Sequence, residues 1–239
     1  MTMMMTLYDL AGQNDALRFS PYCWRVKMAL AHKGLIVDCK PWRFTEKDQI
    51  AFSNQKKVPV LVDGDQVIHD SWTILNYLDT AYSDKPPLFI NEAAKESAYS
   101  LKLWVEKTVH VPLFKILIMD IFNCIHEKDK DWFRTSREQR LGMTLESFSD
   151  SSDEAIQAFR ELLEPIRKTL EWQPYMGGDQ PGGADYLLFG TFQWANCTSA
   201  LQLLAEDDPV QMWCQRMLAL FNHLAGKAPR ADQLSPEVL

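Results

Sequence analysis

The sequence predicts two units in series: a small mixed α/β unit over residues 1–84 and an all-helical unit over residues 91–239. Three observations carry this reading. Within the first 82 residues the apolar pattern alternates between strand and helix periods, in the order β-α-β and then β-β-α. Ser83-Asp84-Lys85-Pro86-Pro87 then breaks it, because two successive prolines cannot continue a helix. Everything after that break reads as helix. Strands and helices mixed in one short unit suggest a small sheet covered by helices.

Taken in order, Thr6 to Leu10 is short and β-favouring. Pro21 to Lys33 carries apolar residues at Trp24, Met28, Leu30 and Ala31, and Gly34 supplies a C-terminal stop. Val37 to Trp42 reads as a second strand. Val58 to Val62 and Gln66 to Ile68 flank Asp63-Gly64-Asp65, a hairpin signal. Ser71 to Tyr82 places Trp72, Leu75 and Leu78 on one helical face. Beyond the double proline, Glu92 to Ile125 is long and amphipathic, with a kink expected at Pro112. Arg137 to Leu170 is a second long helical region, interrupted near Ser147 to Asp153. Residues 177–183 form a Gly-rich loop, and Ala184 to Leu204 and Pro209 to Leu224 read as further helices.

The 239 residues suit one or two domains, with 46% hydrophobic and 24% charged residues in an ordinary globular balance. A net charge of −7 argues against a nucleic-acid partner. No run of eighteen apolar residues appears, and Met1-Thr2-Met3-Met4-Met5 lacks the basic and apolar regions of a signal peptide. Five cysteines, at 23, 39, 124, 197 and 214, have neither disulfide-framework nor zinc spacing, so no metal is expected and a cytoplasmic location fits.

Three short motifs carry the chemistry. Ser20 precedes Pro21, a residue suited to the first turn of a helix. Alone, Ser20 reads as an N-cap. The same geometry also favours an anion, because a helix N-terminus carries partial positive charge and free N–H groups. Cys23, three residues on, completes a Ser-x-x-Cys resembling the Cys-x-x-Cys of thioredoxins. Serine at the first position removes the exposed redox nucleophile, and Cys23 itself reads as a packing residue. Val58-Pro59 at a strand start reads either as an edge strand or as a cis peptide that presents the Val58 backbone to an extended ligand. Asp70-Ser71 reads as a plain helix start, or as a carboxylate, a hydroxyl and N–H groups facing an amino-acid head group.

Together these motifs resemble a family. Ser20-Pro21-Tyr22-Cys23-Trp24-Arg25, Lys57-Val58-Pro59-Val60-Leu61, Asp70-Ser71 and Gly183-Ala184-Asp185-Tyr186 resemble the working parts of soluble glutathione transferases. Thr6 to Tyr82 would be their thioredoxin-like domain and Glu92 to Leu224 their helical-bundle domain. Relatives often carry Ser or Thr where this chain has Gly182, a different but workable cap. The resemblance implies glutathione as co-substrate. Ser20 would donate to its sulfur, and Val58, with Pro59 cis, would pair with its cysteinyl backbone. Asp70 and Ser71 would hold the γ-glutamyl end, and Lys57 with Arg43 the glycine carboxylate. A hydrophobic electrophile would sit against the long helix after the linker, around Trp104, Lys107, Thr108, Val111 and Phe114. His110 is a candidate base, the tail Asp232 to Leu239 a candidate cover, and a homodimer is implied.

The stretch around Ser20, with Leu30-Ala31-His32-Lys33-Gly34 just after, looks closest to the etherase-like serine transferases, which cleave β-aryl ethers; theta and zeta enzymes share parts of it. Two other activities fit the same residues: a glutathione-dependent isomerase, and a non-catalytic carrier of hydrophobic ligands.

Overall fold

In a computed structural model the described residues are 4–234. Four strands, β1 (Met5–Leu10), β2 (Val37–Trp42), β3 (Val60–Asp63) and β4 (Gln66–His69), form one sheet in the order β2-β1-β3-β4. β1 runs parallel to β2, and β3 runs antiparallel to both β1 and β4. The crossover from β1 to β2 is α1 (Pro21–His32), and α2 (Ser71–Ala81) follows the β3–β4 hairpin. Gly64, at φ 57, turns that hairpin. β3 starts at Val60, two residues later than the apolar pattern suggests, because Pro59 has no N–H to give to a ladder. The arrangement is the thioredoxin-like one, and the elements that follow among the described residues are helical.

The helices are α3 (Glu92–Trp104), α4 (His110–Cys124), α5 (Glu127–Leu141), the short α6 (Leu145–Phe148), α7 (Asp153–Leu162), α8 (Glu164–Trp172), α9 (Gly183–Thr198) and α10 (Pro209–His223). The kink expected at Pro112 lies just ahead of it, as a π-helical turn over Val105–Val109. Pro112 cannot donate to the Thr108 carbonyl and its ring crowds that group, so a wider turn relieves the clash. α5 begins ten residues before Arg137. Its first turns, Glu127 to Asp131, are all charged, which conceals an apolar edge consisting of Trp132 and buried Phe133. Gly142, at φ 72, ends it. α9 stops at Thr198 rather than Leu204, and α10 loses helical geometry at Leu220, with Phe221, Asn222 and His223 at φ between 52 and 62.

The two units are tied at one face. α1 packs against α9 so closely that a Cβ on Gly190 would collide with the Pro21 carbonyl oxygen. Arg25, fully buried, donates from Nε to the Leu187 carbonyl at 3.0 Å and from Nη1 to Glu106 at 2.6 Å. Buried Asp129 of α5 accepts from the Phe44 and Thr45 N–H groups, both at 2.9 Å, and from Thr45 Oγ1 at 2.6 Å. That clamp sets α5 opposite the end of β2. Asp185, at the start of α9, accepts from Met176 N–H and Trp213 Nε1, both at 2.8 Å. It thereby fixes α9, which in turn fixes α1.

Candidate active site

A cleft of about 1020 Å³ opens between the units, reaching from the N-terminus of α1 to α4 and α5. Ser20 lies in its wall, only 3% exposed. It caps α1: the Cys23 backbone N–H donates to Ser20 Oγ at 3.3 Å. The cap uses an oxygen lone pair and leaves the hydroxyl proton available to the cleft. Cys23 itself is fully buried, and burial, reinforced by the nearby Asp9 carboxylate, pushes its thiol well above the ordinary range. It is a packing residue with no nucleophilic character.

Lys57 and Val58 also line the cleft, and the Val58–Pro59 peptide is cis. Because ladder pairing starts at Val60, the Val58 backbone stands outside the sheet. Asp70 and Ser71 sit at the start of α2, outside the cleft lining. Asp70 holds φ 67 and ψ 128, a costly conformation for a non-glycine residue, and accepts from Thr73 N–H at 3.0 Å. Ser71 is 1% exposed, yet its Oγ has no hydrogen-bond partner among the described residues. A buried hydroxyl left unmatched is unfavourable unless something else meets it.

Arg43 lies outside the cleft lining. Its guanidinium donates to the Gly12 carbonyl at 3.1 Å, the Gln13 carbonyl at 3.3 Å and Asp15 at 2.6 Å. It braces a loop and does not face the cleft. Lys47 faces it instead, donating to the Lys56 carbonyl at 2.9 Å and lying 4.6 Å from the Trp132 ring centre. Burial lowers the Lys47 pKa. Nothing local in the sequence marks Lys47; a short helical turn at Lys47–Ser53 brings it to Lys56.

The wall from the helical unit is also partly rephased. Val111 and Phe114 line the cleft as expected, but Trp104, Lys107 and Thr108 do not: Lys107 is exposed, and Trp104 packs on the core. The π-helical turn adds a residue to the repeat and rotates these positions away. Glu106 and His110 take their place. His110 is 8% exposed, with Nε2 2.9 Å from Thr191 Oγ1, and its ring meets Tyr22 and Trp194 edge-on, both at 5.8 Å. Burial, with Arg25 nearby, pulls its pKa down to about 3, so the imidazole is neutral. Burial alone would raise the Glu106 carboxyl; hydrogen bonds from Arg25 and Lys102 outweigh it and hold the group below its ordinary value. Tyr22 also lines the cleft, and burial raises its phenol pKa, so it keeps its proton.

Family models for the glutathione S-transferase N-terminal domain and C-terminal domain match residues 16–86 and 98–214. The chain belongs to the glutathione S-transferase family. It is 24% identical over 185 residues to glutathione S-transferase U22 of Arabidopsis thaliana, an alignment covering 76% of this chain and 72% of that protein. To glutathione S-transferase omega-1 of Mus musculus it is 26% identical over 215 residues, covering 84% and 74%. Among solved structures, glutathione transferase GSTFuA3 from Phanerochaete chrysosporium superposes with a TM-score of 0.82 at 21% identity, covering 93% of this chain and 98% of that one. That likeness concerns the fold. The tail expected over Asp232 to Leu239 ends in residues outside the described range, and Asp232 lies in a short helical turn, paired with Arg230. No helix among the described residues is long and apolar enough to cross a membrane.

Proposed function

We propose that this transferase binds glutathione on residues 1–84 and sets its thiolate against a hydrophobic electrophile held by residues 91–239. The observation that carries this is Ser20: a buried N-cap hydroxyl opening into an aromatic cleft, beside the free Val58 backbone. Glutathione is a γ-glutamyl tripeptide, and the chain offers a match for each part. Val58 pairs with the cysteinyl backbone in the manner of an added strand. The unmatched Ser71 hydroxyl and the strained Asp70 meet the γ-glutamyl head group. Lys47 and Lys57 meet the glycyl carboxylate. In support, a glutathione S-transferase of Ceriporiopsis subvermispora, solved in complex with glutathione, has the same fold, with a TM-score of 0.82 at 20% identity over 99% of this chain and the whole of that one.

In the reaction, Ser20 donates its hydroxyl proton as a hydrogen bond to the thiolate and does not accept the thiol proton, because a hydroxyl is a poor base. The α1 dipole adds to this stabilisation. His110, neutral and bonded to Thr191, shapes the wall. The cleft holds the electrophile near sulfur, which lowers the barrier through proximity. The electrophile we favour is a β-aryl ether: sulfur attacks the β-carbon, the carbon–oxygen bond breaks, and a phenolate leaves with the electron pair. The Tyr22 phenol, two residues along α1 from Ser20, is suited to donate to that leaving oxygen. The protein acts in the cytoplasm as a homodimer, for which the exposed Tyr99 and Leu103 of α3 offer apolar surface.

The test is incubation with glutathione and a panel of aryl ethers, aryl halides and enones, read by mass spectrometry. One glutathione adduct and one phenol formed per ether supports the ether reading. Turnover of halides alone restricts the protein to general transfer. Product formation without loss of glutathione points to an isomerase, and binding without turnover to a carrier.

A further inference from the structure

Two guanidinium groups in the cleft have no carboxylate partner among the described residues. Arg137 and Arg140 of α5 line it, and neither forms an ion pair with any described residue. Their neighbour Arg134, outside the cleft lining, shows the ordinary case: it is held by Glu138 at 2.9 Å and Glu146 at 2.7 Å. Arg137 instead turns in, half-buried, with its guanidinium carbon 4.6 Å from the Phe133 ring centre, 5.4 Å from Trp132 and 5.6 Å from Phe44. Arg140 is exposed at the rim, 5.8 Å from Phe114. Phe114 stacks on Trp194 at 6.1 Å, and Phe44 on Trp132 at 5.4 Å.

We infer that Arg137 and Arg140 form an anion subsite for the second substrate, which is therefore an aromatic compound bearing a carboxylate or sulfonate. This rests on the transferase reading for the identity of the first substrate, though not for the subsite itself. A planar anion fits both features of the wall: its ring lies among Phe44, Phe114, Trp132 and Trp194, and its oxygens take paired N–H donors from a guanidinium. Cations buried without a counter-ion are unfavourable, and burial together with the neighbouring Arg140 lowers the Arg137 pKa to about 10. A bound anion removes that conflict. The glycyl carboxylate of glutathione is the other source of the same chemistry. It has its own cations in the cleft, since Lys56 and Lys57 precede Val58 in the chain and Lys47 is bonded to the Lys56 carbonyl. Lys47 and Arg137 nevertheless share the Trp132 ring, at 4.6 and 5.4 Å, so the two sources are separated by experiment.

The experiment compares 4-chloro-3,5-dinitrobenzoate with its methyl ester. In both, the glutathione sulfur bonds to the ring carbon and chloride leaves with the electron pair; only the charge of the side group differs. Each kcat/KM is divided by the uncatalysed rate, at constant ionic strength, for wild type, Arg137→Gln, Arg140→Gln and Arg137→Lys. Arg134→Gln serves as the control on the same helix. The expected result is a preference of wild type for the acid that falls about tenfold or more in each Gln variant, survives in part in Arg137→Lys, and is untouched in Arg134→Gln. An equal loss for acid and ester overturns the subsite. So does a rise in the KM for glutathione with the acid preference intact, which assigns Arg137 to the glycyl carboxylate. A parallel titration follows tryptophan quenching by 4-nitrobenzoate and its methyl ester without glutathione. Selective acid binding with no turnover of either electrophile keeps the subsite and refutes the transferase reading. Turnover of both without preference does the reverse.

Discussion

Lowering the pH from 7.5 to 5.0 destabilises this protein through His110. In the folded state the ring is buried against Thr191, Tyr22 and Trp194, and its pKa is about 3. In the unfolded chain it titrates near 6.5. Below 6.5 the unfolded chain binds a proton that the folded state refuses, so stability falls with pH from 6.5 downward and the loss levels off near 3. At pH 5.0 the unfolded pKa is about 1.5 units above the pH, which at about 1.4 kcal/mol per unit gives about 2 kcal/mol. Urea unfolding of wild type and His110→Gln at both pH values measures it. The variant should lose about 2 kcal/mol less than wild type between pH 7.5 and 5.0. Equal losses in the two proteins would refute the reasoning. A larger loss in the variant would show that Glu106 holds the ring as a stabilised imidazolium.

Three further substitutions probe the glutathione-binding reading, the α1–α9 contact and the buried thiol. Ser71→Ala should raise the KM for glutathione roughly five- to thirtyfold, the equivalent of about 1–2 kcal/mol, with a smaller effect on kcat in steady-state assays. Gly190→Ala should lower the unfolding free energy by about 1–3 kcal/mol, because its methyl meets the Pro21 carbonyl and pushes α1 from α9; denaturant melts read this directly. Cys23→Ala should hold turnover with glutathione within about threefold of wild type, since a buried thiol with a raised pKa is not the nucleophile.

What the sequence makes legible here is what the local backbone decides. Ser20 before Pro21 and a helical apolar pattern marks an N-cap, and Pro59 has no N–H for a ladder, so both features could be placed without a partner in view. The hairpin at Gly64 and the double-proline break are of the same kind. The far wall of the cleft is not. Arg43 looks as available as Lys47 until the loop at Gly12 to Asp15 folds over and takes its guanidinium. A regular repeat through residues 104–114 puts Trp104, Lys107 and Thr108 on one stripe, and the π-helical turn at Val105–Val109 undoes it. The start of α5 is hidden by charged residues whose helix is held by tertiary contacts, chiefly Asp129 on Phe44 and Thr45. Trp132, Arg137 and Arg140 reach the cleft through that clamp, which has no signature in the surrounding sequence.

The most direct test of the account is the pKa of the bound glutathione thiol, followed through the ultraviolet absorbance of the thiolate in wild type and Ser20→Ala. A charge-assisted hydrogen bond of about 1.5–3 kcal/mol lowers a thiol pKa by roughly one to two units from about 8.5. Wild type should therefore hold roughly a quarter to three-quarters of its bound glutathione as thiolate at pH 7, against a few per cent for the free thiol. Ser20→Ala should raise that pKa by about one unit or more and cut turnover by roughly ten- to a hundredfold. Some activity should survive, because the α1 N-terminus and its N–H groups remain. The thermal midpoint should fall only as far as the loss of one N-cap requires, about 1 kcal/mol. An unchanged thiolate pKa, with stability alone reduced, would show that Ser20 only caps α1.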